Sequence, residues 1–295
     1  MKFKAFLTEN GVTLLEKRFI PAFEKMGKIC YVYLTKDHTF FLHNLLNNDG
    51  VQSIAQFGKD AFFSEYRISS QNEDRIAFTL DLSLLLRALR SAAAISSSVD
   101  RLQIKLVKKL PPNSTNPMPF LTFETKGYAS AVIQDVPISK PLSRAQVTEL
   151  QTGLDDAQDL PRTLVGVSEL DSLLIFVERM KQLGDVIGVE IGKTGELGLK
   201  VSSSLVTLGA KFKSLMIIGE DSNGDEGGEM SVLVSMKHFV KCLQCHLAKP
   251  DCAFYGVGSQ GGSLTVVFQF FVPGSRQTDK SISLHCRLPL LDPGS

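Results

Sequence analysis

The sequence has almost no charge surplus. Its 295 residues carry 32 Lys plus Arg against 31 Asp plus Glu, a formal net charge of +1. A whole-chain basic signature for nucleic acid is missing, so a DNA-facing surface has to come from local sorting of charge. Long hydrophobic runs are missing too. The longest apolar-looking stretch, 82–95, is cut by Arg87 and Arg90 and is too short to span a bilayer. Glu9 arrives before a signal-peptide core can form, so the chain reads as soluble and intracellular, with no membrane partner. Cys30, Cys242, Cys245, Cys252 and Cys286 are odd in number and scattered, which reads as free thiols in a reducing compartment. Paired catalytic groups are lacking as well. His38, His43, His238, His246 and His285 stand singly, without a nucleophile elbow or a carboxylate pair at useful spacing, and this lowers the expectation of an enzyme.

What is present is an ordinary globular balance, 43% apolar and 21% charged, in a chain long enough for two domains. Residues 2–7 alternate as a strand does. From Val12 the spacing turns helical, with Val12, Leu15, Phe19, Phe23 and Met26 on one face and Gly27 as the stop. Strands follow at 29–34, 40–45, 53–57, 65–68 and 75–80, and a second helix carries Leu82, Leu85, Leu86, Leu89 and Ala93. Strands at 102–107, 120–124 and 130–136 close the first half. Residues 140–161 hold Pro141, Gly153, Asp155, Asp156 and Asp159 without sustained period, and read as an extended connector.

The pattern then recurs: a strand at 163–167, a helix at 168–183, strands at 186–191, 197–201 and 206–215, and an acidic glycine loop at 220–229. A strand at 230–235, a helix at 236–247 and strands at 252–257, 264–271 and 282–288 complete it. Glu24-Lys25-Met26 lies 154 positions before Glu178-Arg179-Met180, and Leu82, Leu89 and Ala93 lie 154 before Met236, Leu243 and Leu247. One offset at two separate helices argues for internal duplication. The expected organisation is a first α+β domain over 1–139, a connector over 140–161 and a second domain over 162–295, each domain having two helices among many strands.

The helix faces turned from the core carry Lys17, Arg18, Lys25 and Lys28, then Arg87 and Arg90, then Arg179 and Lys181, then Lys237 and Lys241. Glu24 is the one opposing charge on the first of these, and Asp171 and Glu178 oppose the third. Solvated helix faces are often basic for no further reason. Four such faces in a near-neutral chain, with the acid gathered in loops, favour a surface for a polyanion. No amide or aromatic cluster accompanies them, so base-edge reading is not indicated.

Three motif matches fail on context. Gly256-x-Gly258-x-x-Gly261 has the letters of a dinucleotide fingerprint, but a strand pattern follows where a helix is needed. Gly192-Lys193-Thr194 is a turn rather than a phosphate loop, because Ile187 stands where the leading glycine belongs. Cys242-Leu243-Gln244-Cys245-His246 lacks a distant ligand pair for zinc and the exported context of a haem attachment. The 220–229 loop has five acids but sits among glycines, so it reads as solvated rather than as a nuclease-like metal site. No cofactor and no metal are expected.

Met1-Lys2-Phe3-Lys4-Ala5, Lys25-Met26-Gly27-Lys28-Ile29-Cys30, Phe62-Phe63-Ser64-Glu65-Tyr66, Leu86-Arg87-Ala88-Leu89-Arg90-Ser91-Ala92 and Gln134-Asp135-Val136-Pro137-Ile138 resemble the DNA sliding clamps. With Gly195-Glu196-Leu197-Gly198-Leu199-Lys200 and Lys211-Phe212-Lys213-Ser214-Leu215, they are more specifically similar to the Hus-type subunits of the nine-one-one checkpoint clamp. The order of these segments, rather than any one of them, makes the likeness specific. It implies an α+β sliding-clamp fold, internally duplicated, each half having two helices packed on antiparallel sheets. It also implies a non-catalytic part in a ring with two sister clamp subunits, a checkpoint clamp loader, sequence-independent duplex DNA as ligand, DNA repair enzymes as clients, and a nuclear location. By this resemblance the ten cations above face the DNA channel. The subunit-interface strands fall on Ser130, Ala131, Val132, Ile133 and Gln134, and on Val206, Thr207, Leu208, Gly209, Ala210 and Lys211. The alternatives are a homotrimeric replication clamp and a metal-dependent DNA-processing enzyme. Pro21, inside the first helix, is expected to kink it or to remove a hydrogen bond.

Overall fold

Alternation in Lys2–Leu7 becomes strand β1, with Phe3, Ala5 and Leu7 buried and Lys2 and Lys4 outward. In this computed structural model residues 1–47, 50–95, 102–111, 115–126, 131–219, 230–258 and 262–292 are described, without side chains at 93–95, 126 and 131. Helix α1 (Glu9–Leu14) starts at Thr8, whose Oγ1 accepts from the Gly11 amide at 2.9 Å. Gly11 is required there, because a Cβ would stand 2.3 Å from the Phe62 carbonyl oxygen.

The expected effect of Pro21 has a definite form. The helix widens into a π segment over Leu15–Phe19 and resumes as α2 (Ile20–Met26), with the Ile20 amide donating to the Leu15 carbonyl. The wider turn accommodates Pro21 at the start of α2, where it has no N–H to continue the ladder. Leu15, Phe19, Phe23 and Met26 are buried as the spacing predicts.

The chain divides into two units, one of Met1–His43, Ile54–Thr152 and Lys280–Ile282, the other of Asn44–Ser53, Gly153–Asp279 and Ser283–Ser295. The first unit continues with β2 (Ile29–Leu34), β3 (His38–His43), β4 (Gln52–Gly58), α3 (Lys59–Phe62), β5 (Phe63–Ser69) and β6 (Ile76–Asp81). Then come α4 (Leu82–Ile95), β7 (Leu102–Lys109), β8 (Met118–Lys126) and β9 (Ala131–Pro137), and α5 (Arg144–Ala157) contains the boundary after Thr152. The second unit has β10 (Thr163–Val167), α6 (Leu170–Met180), β11 (Val186–Gly192), β12 (Glu196–Ser202), β13 (Thr207–Phe212), β14 (Met216–Gly219) and β15 (Met230–Ser235). It ends with α7 (Met236–Leu243), a 3-10 turn over Gln244–Ala248, β16 (Cys252–Val257), β17 (Ser263–Gln269) and β18 (Ile282–Pro289).

Sheet order exposes the duplication. In the first unit the strands neighbour one another as β5-β1-β7-β8-β9 and β4-β3-β2-β6, and in the second as β14-β10-β16-β17-β18 and β13-β12-β11-β15. Each strand of one unit has its counterpart in the same place in the other, and every paired neighbour with a recorded register runs antiparallel. The junction of the helices repeats too: the Leu82 amide donates to Lys28 O at 2.9 Å, and the Met236 amide to Asp185 O at 2.8 Å.

Two local readings need correction. The stretch 140–161 is not extended throughout, since α5 occupies Arg144–Ala157. Val147, Leu150, Leu154 and Ala157 are its buried positions. The expected strand 206–215 is β13 followed by the separate β14, because Ser214 takes a left-handed conformation (φ 57°) and turns the chain into another sheet. Among the described residues no helix is long and apolar enough to cross a membrane.

The core of the first unit is a cluster of phenylalanines. Phe57 is fully buried, with its ring 4.7 Å from Phe19 and 4.5 Å from Phe62. Phe57→Ala is expected to cost about 3–5 kcal/mol of unfolding free energy, read from a urea melt. A loss under about 1 kcal/mol in that melt contradicts this packing.

In the second unit His285 is buried, with Nε2 3.2 Å from the Ala157 carbonyl oxygen. Burial pulls its pKa down to about 4, the Ala157 carbonyl opposes the shift, and the Arg287 charge adds to it. The unfolded chain takes up this proton near pH 6.5, so stability is full above that pH and falls as pH drops towards 4. A loss of about 3 kcal/mol over that window is expected, and His285→Gln should remove the step. An unchanged pH–stability curve in that variant contradicts the assignment.

Candidate nucleic-acid interface

The four basic helix segments expose most of the predicted cations. Lys17, Lys25, Arg87, Arg90, Arg179 and Lys237 are exposed, while Arg18 and Lys241 are half-buried. Two of the ten are not on helices: Lys28 follows Gly27 beyond α2, and Lys181 is the residue after α6.

Counter-charge divides the set further. Lys28 Nζ lies 3.3 Å from Asp81 Oδ2, Arg90 Nε 3.8 Å from Glu16 Oε1, and Lys181 Nζ 2.6 Å from Glu178 Oε2. The Arg18 guanidinium lies over the Phe19 ring at 5.8 Å. Lys17, Lys25 and Arg87 in the first unit, and Arg179, Lys237 and Lys241 in the second, form no ion pair among the described residues. Of the ten, these six are the ones available to an outside anion.

Glu16 and Asp81 are the counter-charges at the candidate site that sequence reasoning missed. Glu24 is not the single opposing charge near the first helix, because Glu16 reaches across to Arg90 on α4. Asp81 sits just ahead of α4, accepts from the Ser83 amide at 2.9 Å and also takes Lys28. Partial burial alone would raise its pKa, but the hydrogen bonds from Ser83 and Lys28 hold the carboxyl below its usual value. A cap position ahead of a helix was the available signal for Asp81. Pairing between two helices leaves none.

His238 stands between Lys237 and Lys241 on α7. Burial and then the two lysine charges lower its pKa, so at neutral pH the positive charge of this face belongs to the lysines.

Of the predicted interface residues, Ala131, Val132, Ile133 and Gln134 lie on β9, at one edge of the order β5-β1-β7-β8-β9. Ile133 is 56% exposed. Ser130 lies outside the described residues, as does the acidic loop 220–229. Thr207, Leu208, Gly209, Ala210 and Lys211 lie on β13, at the edge of β13-β12-β11-β15. Val206 is not in that strand: its carbonyl accepts from the Ser203 amide at 2.8 Å in the turn before it. Phe212 of β13 meets Phe176 of α6 edge to face, with ring centroids 6.1 Å apart. Exposed Ile175 (57%) is the neighbour of Phe176 on that helix.

Of the rejected motifs, the end of the glycine pattern, Gly261, lies outside the described residues. Gly256 pairs with Thr265 between β16 and β17, and Gly192 faces Glu196 across the β11–β12 turn. Cys242, Cys245, Cys252 and Cys286 are buried, with Cys245 Sγ 3.8 Å from Cys286 Sγ. Burial pushes the Cys252 thiol up to about 11 and the Cys242 thiol above its ordinary value, which keeps both protonated and unreactive.

Comparison with known proteins agrees with this architecture. The crystal structure of the proliferating cellular nuclear antigen from Entamoeba histolytica superposes with a TM-score of 0.64 over 98% of this chain and 99% of its own, at 12% identity. The fold is that of the sliding clamps. A checkpoint protein hus1 homolog from Dictyostelium discoideum is 26% identical over 259 residues, covering 85% of this chain and 88% of the relative. The human checkpoint protein HUS1 is 27% identical over 218 residues, covering 73% of this chain and 74% of its own. The family model described as Hus1-like protein matches residues 1–278, and this chain belongs to the Hus1-like family.

Proposed function

We propose that this chain is a non-catalytic subunit of a heterotrimeric, ring-shaped DNA clamp that encircles duplex DNA at sites of damage and signals the checkpoint. Two sister clamp subunits complete the ring, a checkpoint clamp loader opens it, repair enzymes dock on it, and it works in the nucleus. The observation that carries this reading is the set of six cations that form no ion pair among the described residues, spread over the helices of both duplicated units. Separated Lys and Arg side chains meet phosphates without reading bases, and contacts of that kind let a ring slide.

Ring closure uses β9 and β13. An edge strand with exposed apolar side chains is a template for another strand, and natural edges that stay single are guarded by charge. Edge strand β5 carries Glu65 and exposed Arg67. Besides Asp135 on β9 and Lys211 on β13, β9 exposes Ile133, and Leu205 and Val206 stand 92% and 52% exposed just ahead of β13.

The test is the mass of the full chain in solution, alone and mixed with the two sister clamp subunits of the same organism. A lone monomer that enters a one-to-one-to-one trimer is expected. A stable trimer of the chain by itself transfers it to the replication-type clamps, and failure to associate at all overturns the ring.

A further inference from the structure

We propose that a groove at one end of the β5-β1-β7-β8-β9 sheet binds an extended peptide segment in which an apolar anchor is flanked by acidic residues. The groove has a volume of about 540 Å³ and is lined by Leu106, Val107, Met118, Pro119, Ile138 and Pro141, with Lys108 and Lys140. It is built within the first unit alone, so the proposal does not depend on the ring.

Three features define the occupant. The first is an open strand edge. β7 pairs with β1 only as far as Lys105, which faces Lys4, yet β7 continues through Leu106–Lys109 with no strand partner on that side among the described residues. On its other side β7 stays paired with β8 through to Lys109, which faces Met118. Unpaired main-chain groups on an otherwise ordered strand accept an added extended segment.

The second feature lies across β7 from that edge, on β8 and the chain after β9. Pro117, Pro119 and Pro141 bring no amide donor, so this part of the groove offers mainly side-chain contacts. Met118 is 43% exposed, and a methionine adapts its shape to an apolar anchor. Ile138 is held in place: its amide donates to the Pro119 carbonyl at 3.3 Å, and it bridges to Leu80. The volume lies within the range of sites that enclose a small ligand or a few side chains.

The third feature is charge. Lys108 and Lys140 are the charged side chains lining the groove among the described residues, and neither forms an ion pair there. The nearby acid Asp135 is already engaged by Lys109 at 2.7 Å and by Thr122. Two unopposed cations beside an apolar slot complement an anchor with acidic flanks and disfavour a basic segment.

The experiment selects binders to the full chain from a displayed library of random twelve-residue peptides, with a parallel selection against Met118→Glu. The peptides expected carry an apolar residue flanked by Asp or Glu. The most enriched one, synthesised with a fluorescent label, should bind at least tenfold more weakly to Met118→Glu and to Lys108→Glu/Lys140→Glu, both with unchanged thermal melts. It should also slow amide exchange at 106–109. Failure of any peptide to enrich over the Met118→Glu control overturns the proposal, as does equal binding to the variants or enrichment of basic peptides. Trimer formation with the sister subunits is measured on the same variants. Its loss assigns the groove to a subunit interface and also overturns the proposal.

Discussion

Ile133→Lys is expected to weaken assembly of the clamp about 100-fold or more while leaving the lone chain as stable as before. Ile133 is 56% exposed on edge strand β9, so the folded chain loses little when its side chain changes. Docking against a partner strand would bury that side chain, and burying an isoleucine is worth about 1.5–3 kcal/mol. A lysine there forfeits that term and must also be desolvated on docking, which is how natural edges block pairing. Arg67→Lys on edge strand β5 is the matched control, because that edge is already charged and is assigned no partner strand. Analytical ultracentrifugation of the chain with its two sister subunits separates the cases. A wild-type sedimentation profile for Ile133→Lys removes β9 from the interface.

Much of the architecture is legible in the sequence because duplication gives two independent readings of each element. Met26 and Met180 end α2 and α6, and Leu82 and Met236 begin α4 and α7, all at one offset. Each of these helices buries a continuous apolar stripe, so its period survives a local change such as the π segment before Pro21. Helix α5 escaped for the opposite reason. Its buried positions are few, Gly153 interrupts them, and Asp155 and Asp156 crowd its last turn. The signal it did carry is a capping box. Ser143 and Gln146 bond reciprocally, with Gln146 Oε1 accepting from the Ser143 amide at 3.0 Å and Ser143 Oγ accepting from the Gln146 amide at 3.4 Å. The break at Ser214 had no such signal, because a left-handed serine carries no sequence mark.

The candidate site was legible in composition but not in pairing. A helical wheel shows that Arg90 points outward, yet nothing in the wheel says that Glu16 meets it across the gap between two helices. Edge status is of the same kind. The pattern at 130–136 predicts a strand, and only the sheet order shows β9 with a neighbour on one side.

That division between free and paired cations gives the second large effect. Changing Lys17, Lys25 and Arg87 together to Gln should weaken binding of the assembled ring to duplex DNA by about 100-fold at low salt, at roughly 1 kcal/mol for each phosphate contact. The slope of log affinity against log salt should fall in magnitude by about 3, at about 0.9 for each phosphate no longer neutralised. The informative comparison removes whole pairs instead: Lys28→Gln with Asp81→Asn, Arg90→Gln with Glu16→Gln, and Lys181→Gln with Glu178→Gln. Those changes take away as many cations but leave net charge unaltered, and the asparagine of Asp81→Asn still caps α4. Affinity and slope should then stay within about twofold of wild type if paired cations make no phosphate contact. Equal losses in the two sets would mean that total cation number, and not freedom from a counter-charge, governs the DNA-facing surface. Fluorescence anisotropy on a labelled duplex over a salt series reads both quantities, and trimer mass measured on each variant keeps DNA binding separate from assembly.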